Sequence, residues 1–230
     1  MSDSQNRKAM ELARAIAFHL SATFGDVFNV QIVTPGWIHF ELTDSALGTW
    51  LQSLAVGKGE LGSGEIGREF HPTPATLSMP NSLFPVQYAH ARCCSLVLLA
   101  HRERLIQLRE PLVNSSPIWS LISPNPIPWV NCNQRLRLNH PDERHLISEL
   151  VRIVDNIECP DVRGSVKWEK AALNLSQAFE NFWRNCRIWG EVKIVSPEVA
   201  QARLGLLMAT QSVLKFVLEE NLGIFAPLEL

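Results

Sequence analysis

Phe84-Pro85-Val86-Gln87-Tyr88-Ala89-His90-Ala91-Arg92-Cys93-Cys94-Ser95-Leu96 opens the helical part of this 230-residue chain. From Val86 onward Tyr88, Ala91, Cys94, Leu98 and Leu105 fall on one side of a 3.6-residue repeat, so the spacing predicts a helix over residues 86–108 with one face on a core. Arg102, Arg104 and Arg109 gather at its end, where positive charge complements the helix dipole. Downstream, Pro111, Pro117, Pro124, Pro126 and Pro128 alternate with Trp119 and Trp129. That pattern predicts an inserted loop over 111–131 which the tryptophans pack down on the core.

Three further helices follow. Pro141 stands where a first helical residue belongs, and Leu146, Ile147, Leu150, Ile153, Val154 and Ile157 form a stripe. Trp168, Ala171, Ala172, Leu175, Phe179, Phe182 and Cys186 form a second stripe. Ser196-Pro197 starts a third helix carrying Ala202, Leu206, Ala209, Val213, Leu214 and Val217, which ends before Gly223. Residues 82–230 therefore read as a helical bundle.

Upstream the pattern changes. Met10, Ala13, Ile16, Ala17, Leu20 and Phe24 have helical spacing, and Gly25-Asp26 breaks it. Residues 27–33 and 37–42 alternate about Pro35-Gly36, which predicts a hairpin-like pair of strands. Thr43 or Asp44 caps a short helix through Leu54. The fold class expected is mainly α: a small α/β domain over 1–56, a Gly/Pro-rich linker over 57–81, and the bundle over 82–230. The linker contains two overlapping G-x-G-x-x-G matches, but they leave a helix rather than a strand and lack the acidic partner of a dinucleotide site.

Composition narrows the chemistry. Apolar residues make up 46% of the chain, enough for a buried core, and the formal charge is −2. Such a balance excludes nucleic-acid binding by overall positive charge and disfavours an anionic-lipid surface binder. Residues 1–81 carry a net −3 and residues 82–230 a net +1, so the helical part is the better place for a local basic cluster. No stretch reaches the ~20 apolar residues of a membrane span, and the N-terminus opens into an amphipathic segment, so a soluble, cytoplasmic protein without a membrane partner is expected. The five cysteines include no C-x-x-C pair. Of the seven histidines, His19, His39 and His71 stand on separate elements, His90 and His101 lie about 16 Å apart along a helix, and His140 and His145 are five residues apart and poorly aligned. No metal, no cofactor and no catalytic residue is expected. Arg92, Arg187 and Arg203 suit phosphate or base contacts and equally suit buried ion pairs, and both readings stand at this point.

Residues 84–96 resemble the segment that introduces the anticodon-binding domain of arginyl-tRNA synthetases, the DALR anticodon-binding domain. Phe179, Phe182-Trp183 and Cys186-Arg187 are similar to that family's long helix, Ala202-Arg203-Leu204 to its alanine-arginine-leucine motif, and Leu222-Gly223-Ile224 with Pro227 to its closing segment. Gly36-Trp37-Ile38-His39-Phe40 resembles the signature of the additional domain at the start of the same synthetases. Trp183 stands in place of a family tyrosine, and Leu228-Glu229-Leu230 where the family has a closing methionine. Between the two matching parts the family holds its catalytic domain with H-I-G-H-type and K-M-S-K-type signatures, and neither occurs here.

The resemblance thus implies a non-catalytic relative that binds tRNA, arginine tRNA by resemblance, or a structured RNA, through Tyr88, Arg92, Trp183, Arg187 and Arg203. It is not expected to be an enzyme. Two other expectations stand beside that one. The bundle is a protein-interaction or regulatory module that kept the fold and lost its RNA, or it is a partner in arginyl-tRNA aminoacylation.

Overall fold

A computed structural model describes residues 3–57, 83–109, 120–159 and 166–230. The linker expected over 57–81, apart from Gly57, and the first part of the Pro/Trp loop, including Trp119, lie outside the described residues. Helices dominate and the strands form small two-stranded sheets, which is the fold class read from the sequence. The chain divides into two compact units: Met1–Trp50 with Val130–Leu136, and Leu51–Trp129 with Arg137–Leu230. Among the described residues no helix is long and apolar enough to cross a membrane.

In the first unit α1 (Asp3–Phe24) packs on an antiparallel hairpin of β1 (Phe28–Val33) and β2 (Trp37–Leu42). Register pairs Phe28 with Leu42, Val30 with Phe40 and Ile32 with Ile38, so period-two alternation puts all six apolar side chains on one face. The Phe28 and Phe40 rings meet edge to face at 6.0 Å. Gly36 closes the turn at φ 142°, and a Cβ there would lie 3.1 Å from the Ala9 Cβ and 3.2 Å from its carbonyl, so the site needs glycine for both conformation and space. After β2, Thr43 caps α2 (Asp44–Val56): its Oγ1 accepts from Ala46 N–H at 3.2 Å and donates to Asp26 O at 2.8 Å. The Asp44 carboxylate accepts from Leu136 N–H at 3.1 Å, which fastens the 130–136 turn to the start of that helix.

The second unit is built round α3 (Phe84–Arg102), α4 (Pro141–Glu158), α5 (Trp168–Asn185) and α7 (Pro197–Phe216), with the short α6 (Glu191–Val195) between the last two. α4 and α5 are amphipathic, and the stripes read from the sequence supply the buried Leu146, Leu150, Ile153, Leu175, Phe179 and Phe182. Fully buried side chains of this size contribute about 2 kcal/mol each. α7 differs, because residues 204–211 are buried without interruption. It is covered by α3, α4 and α5 together, so burial extends round it rather than along a single stripe. Gly205 on this helix makes room for the Trp129 indole, whose carbons would lie 2.6 and 2.8 Å from an added Cβ. The indole Nε1 donates to Gln52 Oε1 at 2.8 Å, so Trp129 packs its part of the loop down as the sequence reading anticipated.

The structure shortens one predicted helix. α3 stops at Arg102 rather than running to residue 108, because Arg104 takes a positive φ of 58° and reverses the chain. Leu105 N–H then returns to Ala100 O at 2.9 Å, Leu105 and Ile106 turn inward, and β3 (Gln107–Leu108) pairs with β4 (Leu121–Ser123). At the far end of α7 the helix widens into a π-helical segment, Val217–Asn221, and Gly223 at φ 63° releases the chain. The segment that follows lies on α3: Gln87 Nε2 donates to Phe225 O at 2.8 Å, and the buried His90 binds Pro227 O at 2.8 Å.

Candidate nucleic-acid interface

Helical spacing puts Phe84, Tyr88 and Arg92 on one face of α3, four residues apart. Phe84 is 54% and Tyr88 44% exposed, and their rings stack at 6.4 Å with planes inclined by 27°. One turn further, the half-buried Arg92 crosses to α5, where its guanidinium carbon lies 5.3 Å from the Trp183 ring centroid. That is cation–π geometry, worth about 0.5–1 kcal/mol at a partly exposed site. Trp183 itself is half-buried, and Trp189, just beyond α5, meets it edge to face at 5.8 Å and 78°. The result is a stripe of two aromatic pairs, Phe84–Tyr88 and Trp183–Trp189, with the Arg92 guanidinium lying against the second.

Arg187 lies exposed in the turn after α5, and among the described residues its side chain makes no ion pair. Its backbone carbonyl accepts from Arg203 Nη1. Arg203 is differently placed from the other four. Its Nε donates to Glu143 Oε1 at 2.6 Å, with 14% of the arginine side chain and 1% of the glutamate exposed. Glu143 also accepts from the His140 N–H at 2.8 Å, and His140 Nδ1 accepts from Asp142 N–H at 3.2 Å, so the carboxylate completes the N-terminal cap of α4 as well as the ion pair. Of the five residues singled out from the sequence, Tyr88, Arg92 and Trp183 therefore belong to the stripe, Arg187 lies in the turn that follows α5, and Arg203 ties α7 to α4 and to that turn.

Two stripe members were not singled out from the sequence. Phe84 carries a signal, four residues before Tyr88 on the same helix. Trp189 carries none, since it sits outside the helix and meets Trp183 only through the fold. Its buried Nε1 has no hydrogen-bond partner among the described residues.

Behind the stripe, titratable groups are held neutral. His90 Nδ1 donates to the Pro227 carbonyl, which can only accept, so Nε2 accepts from Gln211 Nε2–H at 2.9 Å. Burial lowers the His90 pKa to about 4, against the raising effect of the Pro227 hydrogen bond. Burial pushes the Cys94 and Cys186 thiols up to about 12 and Cys93 well above its ordinary value, so none supplies a thiolate at neutral pH. Among the described residues no three His, Cys, Asp or Glu side chains stand together as metal ligands. What the surface offers is stacking and directed positive charge, the chemistry that holds unpaired bases and phosphates.

Comparison with known proteins gives the helical part of the chain its relatives. Residues 86–230 match the family described as DALR anticodon binding domain. The arginine–tRNA ligase of Synechococcus sp. (strain JA-3-3Ab) is 31% identical over 148 residues, covering 64% of this chain and 22% of the relative. That of Ruminiclostridium cellulolyticum is 29% identical over 151 residues, 65% of this chain and 22% of the relative. That of Salinibacter ruber is 31% identical over 151 residues, with the same coverage of 65% and 22%. The aligned part of the chain thus spans about a fifth of the length of these relatives. No solved structure matches.

Proposed function

Because the chain belongs to the DALR anticodon-binding domain family, we propose that its helical unit binds the anticodon region of a tRNA, arginine tRNA by its relatives, without catalysing aminoacylation. The observation that carries this reading is the Arg92 guanidinium 5.3 Å over Trp183, flanked by the half-exposed Tyr88. Tyr88 and Trp183 are the stacking platforms for unpaired bases, and Arg92 and Arg187 meet phosphates. Arg203 is a positioning residue, acting on the site by holding the Arg187 carbonyl. The helix–hairpin–helix of residues 1–56 is the domain that approaches the outer corner of the tRNA, as in the family it resembles. The non-catalytic part of the reading rests on the sequence, in which the matching segments are joined through a Gly- and Pro-rich stretch and neither synthetase signature occurs. The protein is expected to work in the cytoplasm, where tRNA is charged.

The test is an anisotropy titration of labelled arginine tRNA and an unrelated tRNA, at low and at roughly physiological salt. Tighter binding of arginine tRNA that falls about tenfold or more in Trp183→Ala supports the reading, as one lost base stack predicts. Weak and equal binding of both tRNAs that vanishes with salt overturns it and leaves the Phe84–Tyr88 stripe as a surface for a protein.

A further inference from the structure

We propose that the recess at the C-terminal end of α3 is a nucleotide-binding pocket, with Arg102 and Arg104 taking the phosphate. The recess is open on one side and measures about 680 Å³, within the size range of small-ligand sites and far larger than an inorganic phosphate needs. Its origin is the chain reversal at Arg104. The positive φ there turns Leu105 and Ile106 down into the core, 6% and 4% exposed, where they form an apolar floor. The same reversal leaves Arg102 and Arg104 exposed at the rim, while Gln107 and Ser123 line the recess from β3 and β4. An apolar floor, polar side groups and two guanidiniums match a base or ribose, its polar edge, and a phosphate monoester of nearly two negative charges.

The dipole of α3 accounts for one cation in its last turn. It does not account for Arg104, which lies beyond the helix, nor for a recess between the two. The one acid between them does not cancel them either: Glu103 Oε2 is engaged by Lys193 Nζ of α6 at 2.8 Å. Among the described residues neither Arg102 nor Arg104 has an ion-pair partner. The pocket is separate from the aromatic stripe, since Arg102 lies ten residues, or about 15 Å, along α3 from Arg92. Its occupant is a free mononucleotide or one nucleotide of an RNA strand, and the chemistry recognised is the same.

Isothermal titration of the whole chain tests this with 5′-AMP and 5′-UMP, their nucleosides, inorganic phosphate, and a short single-stranded RNA. A variant carrying Arg102→Gln and Arg104→Asn is the comparison; asparagine tolerates the positive φ, and both side chains are exposed, so its melting temperature should match the parent's. The expected result is monophosphate binding at least tenfold tighter than nucleoside or phosphate alone, and reduced at least tenfold in the variant. Heat from the RNA but not from the mononucleotides, lost in the variant, identifies a nucleotide within a strand as the occupant. Equal binding of nucleoside and monophosphate, equal binding by parent and variant, or no binding of any probe overturns the pocket. The two readings fail separately, because Trp183→Ala against tRNA tests the stripe and the Arg102/Arg104 variant against mononucleotides tests the recess.

Discussion

Arg203 Nε on α7 donates to Glu143 Oε1 on α4 at 2.6 Å, in a pair of which only 14% of the arginine side chain and 1% of the glutamate reach solvent. A buried pair of this kind contributes little net stability over an apolar replacement, but removing one partner strands a charge. Arg203→Ala should therefore destabilise the protein by about 3–5 kcal/mol in urea unfolding. Replacing both partners, Glu143→Leu with Arg203→Met, should cost far less than the sum of the single changes. A strictly additive double variant would show that the ion pair is not the tie between the helices.

Arg92 and Trp183 separate affinity from stability. Their contact is half-exposed, so Arg92→Ala should lower stability by no more than about 1 kcal/mol. On tRNA, if Arg92 meets a phosphate, the same change should weaken binding and reduce the slope of log K against log salt by about 1. Trp183→Ala removes a stack and no charge, so affinity should fall with the slope unchanged. Identical slopes in parent and Arg92→Ala would assign Arg92 to packing alone.

Gly205 faces Trp129 so closely that a methyl group has no room. Helix propensity favours alanine over glycine by about 1 kcal/mol, whereas overpacking costs typically 1–3 kcal/mol. With indole carbons at 2.6 and 2.8 Å and the Ile127 side chain at 2.9 Å, the second effect should win. Gly205→Ala should be net destabilising, most visibly by displacing Trp129 from Gln52 and shifting the tryptophan fluorescence to longer wavelength. A more stable variant with unchanged emission would mean the ring yields freely.

The parts of the fold that were legible are those where one stripe meets one core. Leu146, Leu150 and Ile153, or Leu175, Phe179 and Phe182, repeat at helical spacing because a single face of each helix is buried. Thr43 and Pro141 mark helix starts through local hydrogen bonding and fixed φ, which need no tertiary information. The end of α3 was not legible, since neither glycine nor proline announces the left-handed Arg104. Nor was the site itself, beyond what the resemblance supplied. Trp189 reaches Trp183 only after the chain has turned, and His90 finds its partners 137 and 121 residues away, at Pro227 and Gln211. Periodicity reports which side of an element is buried, and it carries no information on what lies opposite.

His90 makes a prediction about acid. Its folded pKa, lowered by burial to about 4, lies below the ordinary 6.5 that the unfolded chain restores. Between these values the unfolded state binds the extra proton, so stability is full above pH 6.5 and declines as pH falls toward 4. From pH 7 to pH 5 the loss through this one residue should be about 2 kcal/mol. Protonation also makes Nε2 a donor facing the Gln211 amide N–H, while Nδ1 keeps donating to the Pro227 carbonyl, so the contact with Gln211 on α7 should loosen first. Glu219, raised by burial, works in the opposite direction, because its neutral form is favoured in the folded state. The comparison that isolates His90 is urea unfolding of the parent and of His90→Gln at both pH values. The variant should be less stable at pH 7 yet lose about 2 kcal/mol less than the parent on acidification. If both lose stability equally, the histidine is not the group whose burial makes the bundle acid-sensitive.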